Sequence, residues 1–208
     1  GDIRYNGSQS LFTMTDGDDQ VHVCLPFPGE HHVLDALAAA TCGRILGVPL
    51  EACARGLEGS RLSENRPNFL AGMNGATVIN DCYNANPDST RASLQVLASQ
   101  PGRPSAVLGD MRELGNLQVT EHRRIGALAA RLGLAFLATV GPMARDIRTG
   151  ALEAGMAADT TASFDSNEEA ARWIDGRTGP EDVILIKGSR AVGMEQIVTM
   201  LTEEELDT

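Results

Sequence analysis

Apolar residues along this chain switch between two spacings, and the switches mark its elements. Ser10-Leu11-Phe12-Thr13-Met14-Thr15 and Gln20-Val21-His22-Val23-Cys24-Leu25 alternate in polarity around Asp16-Gly17-Asp18-Asp19, which predicts a hairpin. From Val33 to Leu46 the spacing becomes helical, with Leu34, Leu37, Ala38, Cys42 and Ile45 on one side and Gly47 as the stop. Pro49 opens a shorter helix that ends near Gly56. The polar stretch from Glu58 to Asn68, holding Arg61 and Arg66, predicts a domain boundary.

Beyond that boundary short apolar runs alternate with helical spacings. Val78-Ile79 precedes a helix from Asp88 to Ser99, and Ser105-Ala106-Val107-Leu108 precedes one around Thr120 to Arg131. Ala135 to Val140 leads to a helix from Pro142 to Ala154, a further helix near Asn167 to Ile174 precedes Val183-Ile184-Leu185-Ile186, and Gly193 to Leu201 closes as a helix. Near-continuous apolar strands alternating with helices predict an α/β fold with a doubly wound, mostly parallel sheet.

The stretch Asn80-Asp81-Cys82-Tyr83-Asn84-Ala85-Asn86-Pro87-Asp88-Ser89 directly follows the apolar run Ala76-Thr77-Val78-Ile79. In such a sheet ligands collect where strands end and helices begin, and this decapeptide supplies both donors and acceptors there. Asn86 suits an N-cap and Pro87 a first helical turn, but one cap requires fewer polar groups than the loop carries.

Composition narrows the function. A net charge of -11 argues against a nucleic-acid partner or an anionic membrane surface, and no run of about eighteen apolar residues could span a bilayer. Cys24, Cys42, Cys53 and Cys82 form no C-x-x-C pair, so free, mostly buried thiols in a reducing cytoplasm are expected, with no metal site. The opening Gly1-Asp2-Ile3 has neither methionine nor a basic-then-apolar leader and reads as the start of a truncated segment. The Glu203-Glu204-Glu205 tail is expected to be solvated.

Lys187 is the only lysine of the chain, against sixteen arginines, and Lys187-Gly188-Ser189-Arg190 sits at a strand end. Such a turn can offer an anion an ammonium, a close backbone and a guanidinium, although a plain surface lysine is an equal reading. No Gly-Lys dipeptide occurs, so these residues hold no P-loop, and Gly-x-Gly-x-x-Gly is absent as well. In Gly109-Asp110-Met111-Arg112-Glu113-Leu114-Gly115, a salt bridge of Asp110 or Glu113 with Arg112 is the ordinary expectation. His31 and His32 are adjacent on a helix and diverge, so capping is favoured over joint metal ligation. Covalent catalysis has no motif here.

Taken together, Asp81-Cys82-Tyr83-Asn84-Ala85-Asn86-Pro87-Asp88-Ser89, Val107 to Gly115, and Ile186-Lys187-Gly188-Ser189-Arg190 followed by Met194-Glu195 resemble the C-terminal part of the Mur ligases. They look most like the members that add D-alanyl-D-alanine to UDP-N-acetylmuramoyl-tripeptide. The resemblance runs from about Pro28 to Leu201. It implies that residues 1–60 are the end of a central ATP-binding domain and that 61–208 are the family's Rossmann-like C-terminal domain. The implied chemistry is ATP-dependent amide formation through an acyl phosphate, with ATP and Mg2+ held mainly by a P-loop domain outside this chain. The fragment alone would be inactive, and a cytoplasmic bacterial monomer is expected.

By the same resemblance Asp81 accepts from the ribose hydroxyls, Arg66 approaches the phosphates, and His31, Asp35 and Tyr83 lie by the nucleotide. Asn84, Asn86, Ser89, Lys187 and Arg190 fall on the D-alanyl-D-alanine side. The family's Gly-x-His-Asn-x-x-Asn stands here as Gly29-Glu30-His31-His32-Val33-Leu34-Asp35. An ionised Asp35 accepts from the adenine amino group but cannot donate to a ring nitrogen. Two rival readings stay open, another Mur-type amino-acid ligase and a non-catalytic α/β nucleotide-binding module.

Overall fold

The computed structural model describes residues 2–6, 9–61 and 68–202. The chain divides into two compact units, Gly1–Ser63 and Glu64–Thr208.

In the first unit, β1 (Arg4–Asn6), β2 (Gln9–Asp16) and β3 (Asp19–Leu25) form an antiparallel sheet in that order. The β2/β3 hairpin closes through Gly17 and Asp18, and Gly17 takes the positive φ of 62° that a two-residue hairpin loop needs at its first position. Phe12 and Met14 on β2, with Val23 and Leu25 on β3, turn the same way because strand side chains alternate, and they meet the helices α1 (Glu30–Ile45) and α2 (Leu50–Glu58).

The inner face of α1 differs from the expected one. His32, Val33, Ala36 and Ala40 are buried, whereas Leu34, Leu37 and Ile45 are exposed. This helix is apolar on more than one side, so spacing alone cannot choose its face, and small Ala36 and Ala40 admit the closer approach to the hairpin. Nor do the histidines cap it. The N-cap is Gly29, and His32 instead turns inward, its ring 5.1 Å from that of Phe27.

The second unit holds a six-stranded sheet. Its strands are β4 (Asn68–Ala71), β5 (Thr77–Asn80), β6 (Arg103–Gly109), β7 (Phe136–Val140), β8 (Thr161–Phe164) and β9 (Asp182–Lys187), in spatial order β4-β5-β9-β6-β7-β8. Only β4 runs antiparallel. The helices are α3 (Pro87–Ser99), α4 (Gln118–Arg131), α5 (Arg145–Glu153), α6 (Asn167–Asp175) and α7 (Glu195–Leu201).

Both faces of this sheet are covered. Ile79, Leu108, Leu137, Val183 and Leu185 pack with Leu94 and Leu97 of α3, Ile125 of α4 and Ile147 of α5. On the other face Val78, Val107, Ala138, Ile184 and Ile186 pack with Ile174 of α6 and Ile197 and Leu201 of α7. Alternate residues of one strand therefore serve two cores, which is why β9 reads as an unbroken apolar run. Helices α4 and α5 touch backbone to backbone: a Cβ on Gly126 would lie 1.8 Å from Ile147 O, and one on Gly150 would lie 2.1 Å from Arg123 O.

From β5 the chain steps outward through β6, β7 and β8 with α3, α4 and α5 on one face. It then crosses back through α6 on the other face, and β9 enters between β5 and β6. At the C-terminal ends of β5 and β9 the connections thus leave on opposite faces, which opens a crevice at a topological switch point. The α/β class and the mostly parallel sheet are as expected. Strands β4 and β8, mostly half-buried or exposed, lack the apolar run that marks the equally short β5 in the sequence.

Candidate functional site

The crevice is built by three loops. After β5, Asp81 N donates to Ile186 O at 3.0 Å, extending the ladder by one residue and setting Asp81 beside Lys187. Asn80 Oδ1 then accepts from Cys82 N at 3.2 Å and bends the chain out of the sheet.

Asp81 and Lys187 form a buried ion pair, Nζ to Oδ2 at 2.6 Å, with side-chain exposures of 8% and 3%. Ser93 Oγ, on α3, lies 2.6 Å from the same Oδ2 and 2.8 Å from Ser89 O, which share its one proton, and Lys187 Nζ also donates to Asn84 O at 2.9 Å. Asp81 Oδ1 takes no donor among the described residues. One carboxylate oxygen is saturated by charge-assisted bonds while the other keeps its acceptor capacity.

Lys187 is thus no surface lysine. The burial that separates it from solvent is tolerated because a carboxylate and a carbonyl compensate the ammonium. Beside the pair, burial and then the Asp81 carboxylate and Glu195 push the Cys82 thiol from 9.0 up to about 12. Cys82 is therefore a packed thiol, and its Sγ lies 3.5 Å from Ile186 O.

The other loops are stitched to the same point. Ser189 N donates to Asp110 O at 2.9 Å, and Ser189 Oγ accepts from Arg112 N at 2.9 Å. Between Lys187 and Ser189, Gly188 lets two strand ends meet: a Cβ there would sit 3.1 Å from Gly109 Cα and 2.8 Å from Met194 Cγ. Met111 N donates to His122 Nε2 at 3.0 Å, so Nε2 is the acceptor of that ring, and Nδ1 lies 2.7 Å from Gln118 O, placed to donate to it.

The expected ion pair at Arg112 is replaced by a different device. Asp110 is buried, and its Oδ1 accepts from Met143 N at 2.9 Å and Ala144 N at 2.7 Å, satisfying backbone groups at the start of α5. A buried carboxylate gains more from two fixed amides than from an exposed guanidinium.

On the rim, Tyr83 and Arg190 are exposed, with the guanidinium 5.7 Å from the ring centroid. Asn86 caps α3: its Oδ1 accepts from Ser89 N at 2.8 Å while Asn86 N donates to Ser89 Oγ at 3.2 Å, a reciprocal capping box. Asn84 Oδ1 accepts from Ala85 N at 2.9 Å. The second unit therefore brings Asp81, Tyr83, Asn84, Asn86, Ser89, Lys187 and Arg190 to one edge of its sheet. His31 and Asp35 belong to α1 of the first unit, and Arg66 lies outside the described residues.

Sequence reasoning missed Ser93, Ser189 and His122. Ser93 follows Ser89 by one helical turn and so shares its face, a signal that was present. Ser189 lay within a quoted motif without a role, and nothing local marked His122.

A doubly wound, mostly parallel sheet with this switch point defines a Rossmann-like class of α/β domain. Residues 65–190 match the Mur ligase, glutamate ligase domain, and the chain belongs to the Mur ligase family. Within it, the chain is 33% identical to the UDP-N-acetylmuramoyl-tripeptide--D-alanyl-D-alanine ligase of Bacillus subtilis over 184 residues, 88% of this chain and 40% of that one. Among solved structures it is similar to MurF from Acinetobacter baumannii, with a TM-score of 0.84 and 34% identity over 94% of this chain and 42% of that one. It shares its fold with MurF ligase from Thermotoga maritima, solved with ADP, at a TM-score of 0.80 and 24% identity, covering 96% of this chain and 44% of that one. The chain spans about 40% of the length of the curated relatives it matches. No helix among the described residues is long and apolar enough to cross a membrane.

Proposed function

We propose that this chain is the nucleotide-closing part of a cytoplasmic ATP-dependent ligase that adds D-alanyl-D-alanine to UDP-N-acetylmuramoyl-tripeptide. The observation that carries this reading is the Asp81 carboxylate, fixed at the switch-point crevice with Oδ1 left to accept. A ribose diol offers two adjacent donors, which suits such an oxygen.

In this reading Asp81 orients the nucleotide through its ribose, and Arg66 approaches the phosphates. His31 and Asp35 serve the adenine side, with Asp35 accepting from the amino group. Tyr83 and Arg190 on the rim, with Asn84, Asn86 and Ser89 behind them, face the nucleotide and the incoming dipeptide. Lys187 stands within this group of residues on the dipeptide side, although its ammonium is already engaged.

The tripeptide carboxylate oxygen attacks the γ-phosphorus and ADP leaves. The dipeptide amine then attacks the acyl carbon, and phosphate departs with the carboxylate oxygen. This chain contributes orientation and water exclusion, since an acyl phosphate hydrolyses when wet. On this reading ATP would meet this chain at the open Asp81 oxygen. Mg2+ would supply charge neutralisation on the phosphates, but among the described residues no group of three His, Cys, Asp or Glu converges to hold one, so none is assigned as its ligand.

Residues 1–60 are, on this reading, the end of the central domain. Their support is the exposed apolar face of α1, Leu34, Leu37 and Ile45, continued by Leu46, which a larger domain would cover.

The test is product formation by the full-length ligase with ATP, UDP-N-acetylmuramoyl-tripeptide and a panel of amines, followed by mass spectrometry. Extension by D-alanyl-D-alanine, with one carboxylate oxygen transferred to phosphate, is expected. Preference for a single amino acid assigns another ligase of the family. Product from these 208 residues alone overturns the division of labour.

A further inference from the structure

We propose that Lys187 is a positioning residue: it acts through Asp81, holding that carboxylate charged and aimed, and does not itself bind substrate. The proposal rests on the ribose reading of Asp81 given above.

Three observations carry it. First, the ammonium is spent inward, since two of its three N–H groups go to Asp81 Oδ2 and Asn84 O at 2.6 and 2.9 Å and the side chain is 3% exposed. An anion on the rim cannot reach Nζ without displacing a carboxylate already seated on it. Second, the pairing is dictated by the sheet. Asn80 lies opposite Ile186 in the β5/β9 register, so the next residues, Asp81 and Lys187, point to the same face, towards Ser93 of α3. Third, the contact is selective between the two carboxylate oxygens. Lys187 and Ser93 converge on Oδ2 and leave Oδ1 without a donor among the described residues, which fixes the carboxylate rotation and leaves one acceptor uncommitted.

A buried carboxylate stripped of its counter-ion either takes up a proton or swings towards water. Each response removes the charged acceptor that a diol needs. The single lysine in a chain of arginines fits this role. An ammonium is a compact point donor that can be satisfied by the one carboxylate oxygen and one carbonyl found here, whereas a buried guanidinium brings five donors to satisfy.

The experiment uses the full-length ligase and compares ATP with 2′,3′-dideoxy-ATP in the wild type, Lys187→Met, Asp81→Asn and the double variant. In Lys187→Met the KM for ATP should rise about tenfold, the effect of one lost charge-assisted hydrogen bond, while the KM for D-alanyl-D-alanine stays put. The preference for ATP over the dideoxy analogue should collapse in Lys187→Met as it does in Asp81→Asn, with no further loss in the double variant.

A raised dipeptide KM with an unmoved ATP KM would show direct substrate contact and overturn the proposal. So would an equal loss with both nucleotides, which is the signature of a merely structural role. If Lys187→Met does not fold, the double variant, which has no buried charge left unpaired, carries the test: nucleotide preference equal to that of Asp81→Asn supports the proposal, and a further loss overturns it. A wild type that uses both nucleotides alike overturns the ribose reading and this proposal together, whereas a preference surviving in Lys187→Met overturns this proposal alone.

Discussion

The two ends of β9 carry one ion pair each, and the pairs differ in what they leave open. At the start of the strand Asp182, 1% exposed, is held by Arg103 from β6: Nε reaches Oδ1 and a terminal nitrogen reaches Oδ2, both at 2.8 Å, and Gly179 N adds a bond to Oδ2 at 2.8 Å. Every carboxylate oxygen is satisfied, and the guanidinium, 4.9 Å from the Phe136 ring centroid, also covers the ring. At the end of the strand, Lys187 and Ser93 crowd one oxygen of Asp81 and neglect the other. A bidentate arginine closes a site, and a point-like lysine leaves one half-finished. The same sheet uses the first arrangement where it needs a seam and the second at the edge where we propose that the ribose binds.

The contrast breaks most readily at the closed end. Asp182→Ala should lower the unfolding free energy by about 3 kcal/mol, because it orphans Gly179 N and the Arg103 fork, with nucleotide KM unchanged. Urea denaturation beside steady-state kinetics checks both halves. At the open end, Lys187→Met should cost about 3 kcal/mol of stability, and adding Asp81→Asn should recover most of it, since a neutral pair is cheaper to bury than a lone charge. Equal losses in the single and double variants would mean that packing, not charge, sets the cost.

Further along the open loop, Asn86→Ala should remove about 1 kcal/mol by uncapping α3, visible as a lowered thermal midpoint. The smallest effect concerns Cys82. Native protein alkylated at pH 8 should label at exposed Cys42 and not at Cys82, as read by peptide mass spectrometry. The sign extends to stability: the folded thiol keeps its proton up to about 12 while the unfolded one loses it near 9.0, so this group's contribution falls as pH rises through that window.

Most of the second unit was legible because its strands are buried on both faces and its helices are punctuated by Asn86-Pro87 and by glycines. Strands β4 and β8 were not: they are no shorter than β5 but are mostly half-buried or exposed, so they lack its apolar run. The face of α1 was misread for the opposite reason, an excess of apolar positions. Around the site, Asp81 and Lys187 could each be singled out at a strand end, but their union could not. They stand 106 positions apart, and only the insertion of β9 between β5 and β6 makes them neighbours. Asp110 shows the same limit: its nearest charge in sequence, Arg112, is a poorer partner than two amides from the start of α5.

The insertion of β9 also sets a timetable. The ribosome delivers β5 and β6 long before the strand that separates them, so until β9 emerges the sheet has a gap at its centre and two bare strand edges. Every contact that closes the gap spans a long loop, which slows folding and lengthens the time the nascent chain needs shelter from aggregation. Because the strand that fills the gap ends in Lys187, the sheet and the Asp81–Lys187 pair mature in the same step, and a chain terminated before β9 would have neither.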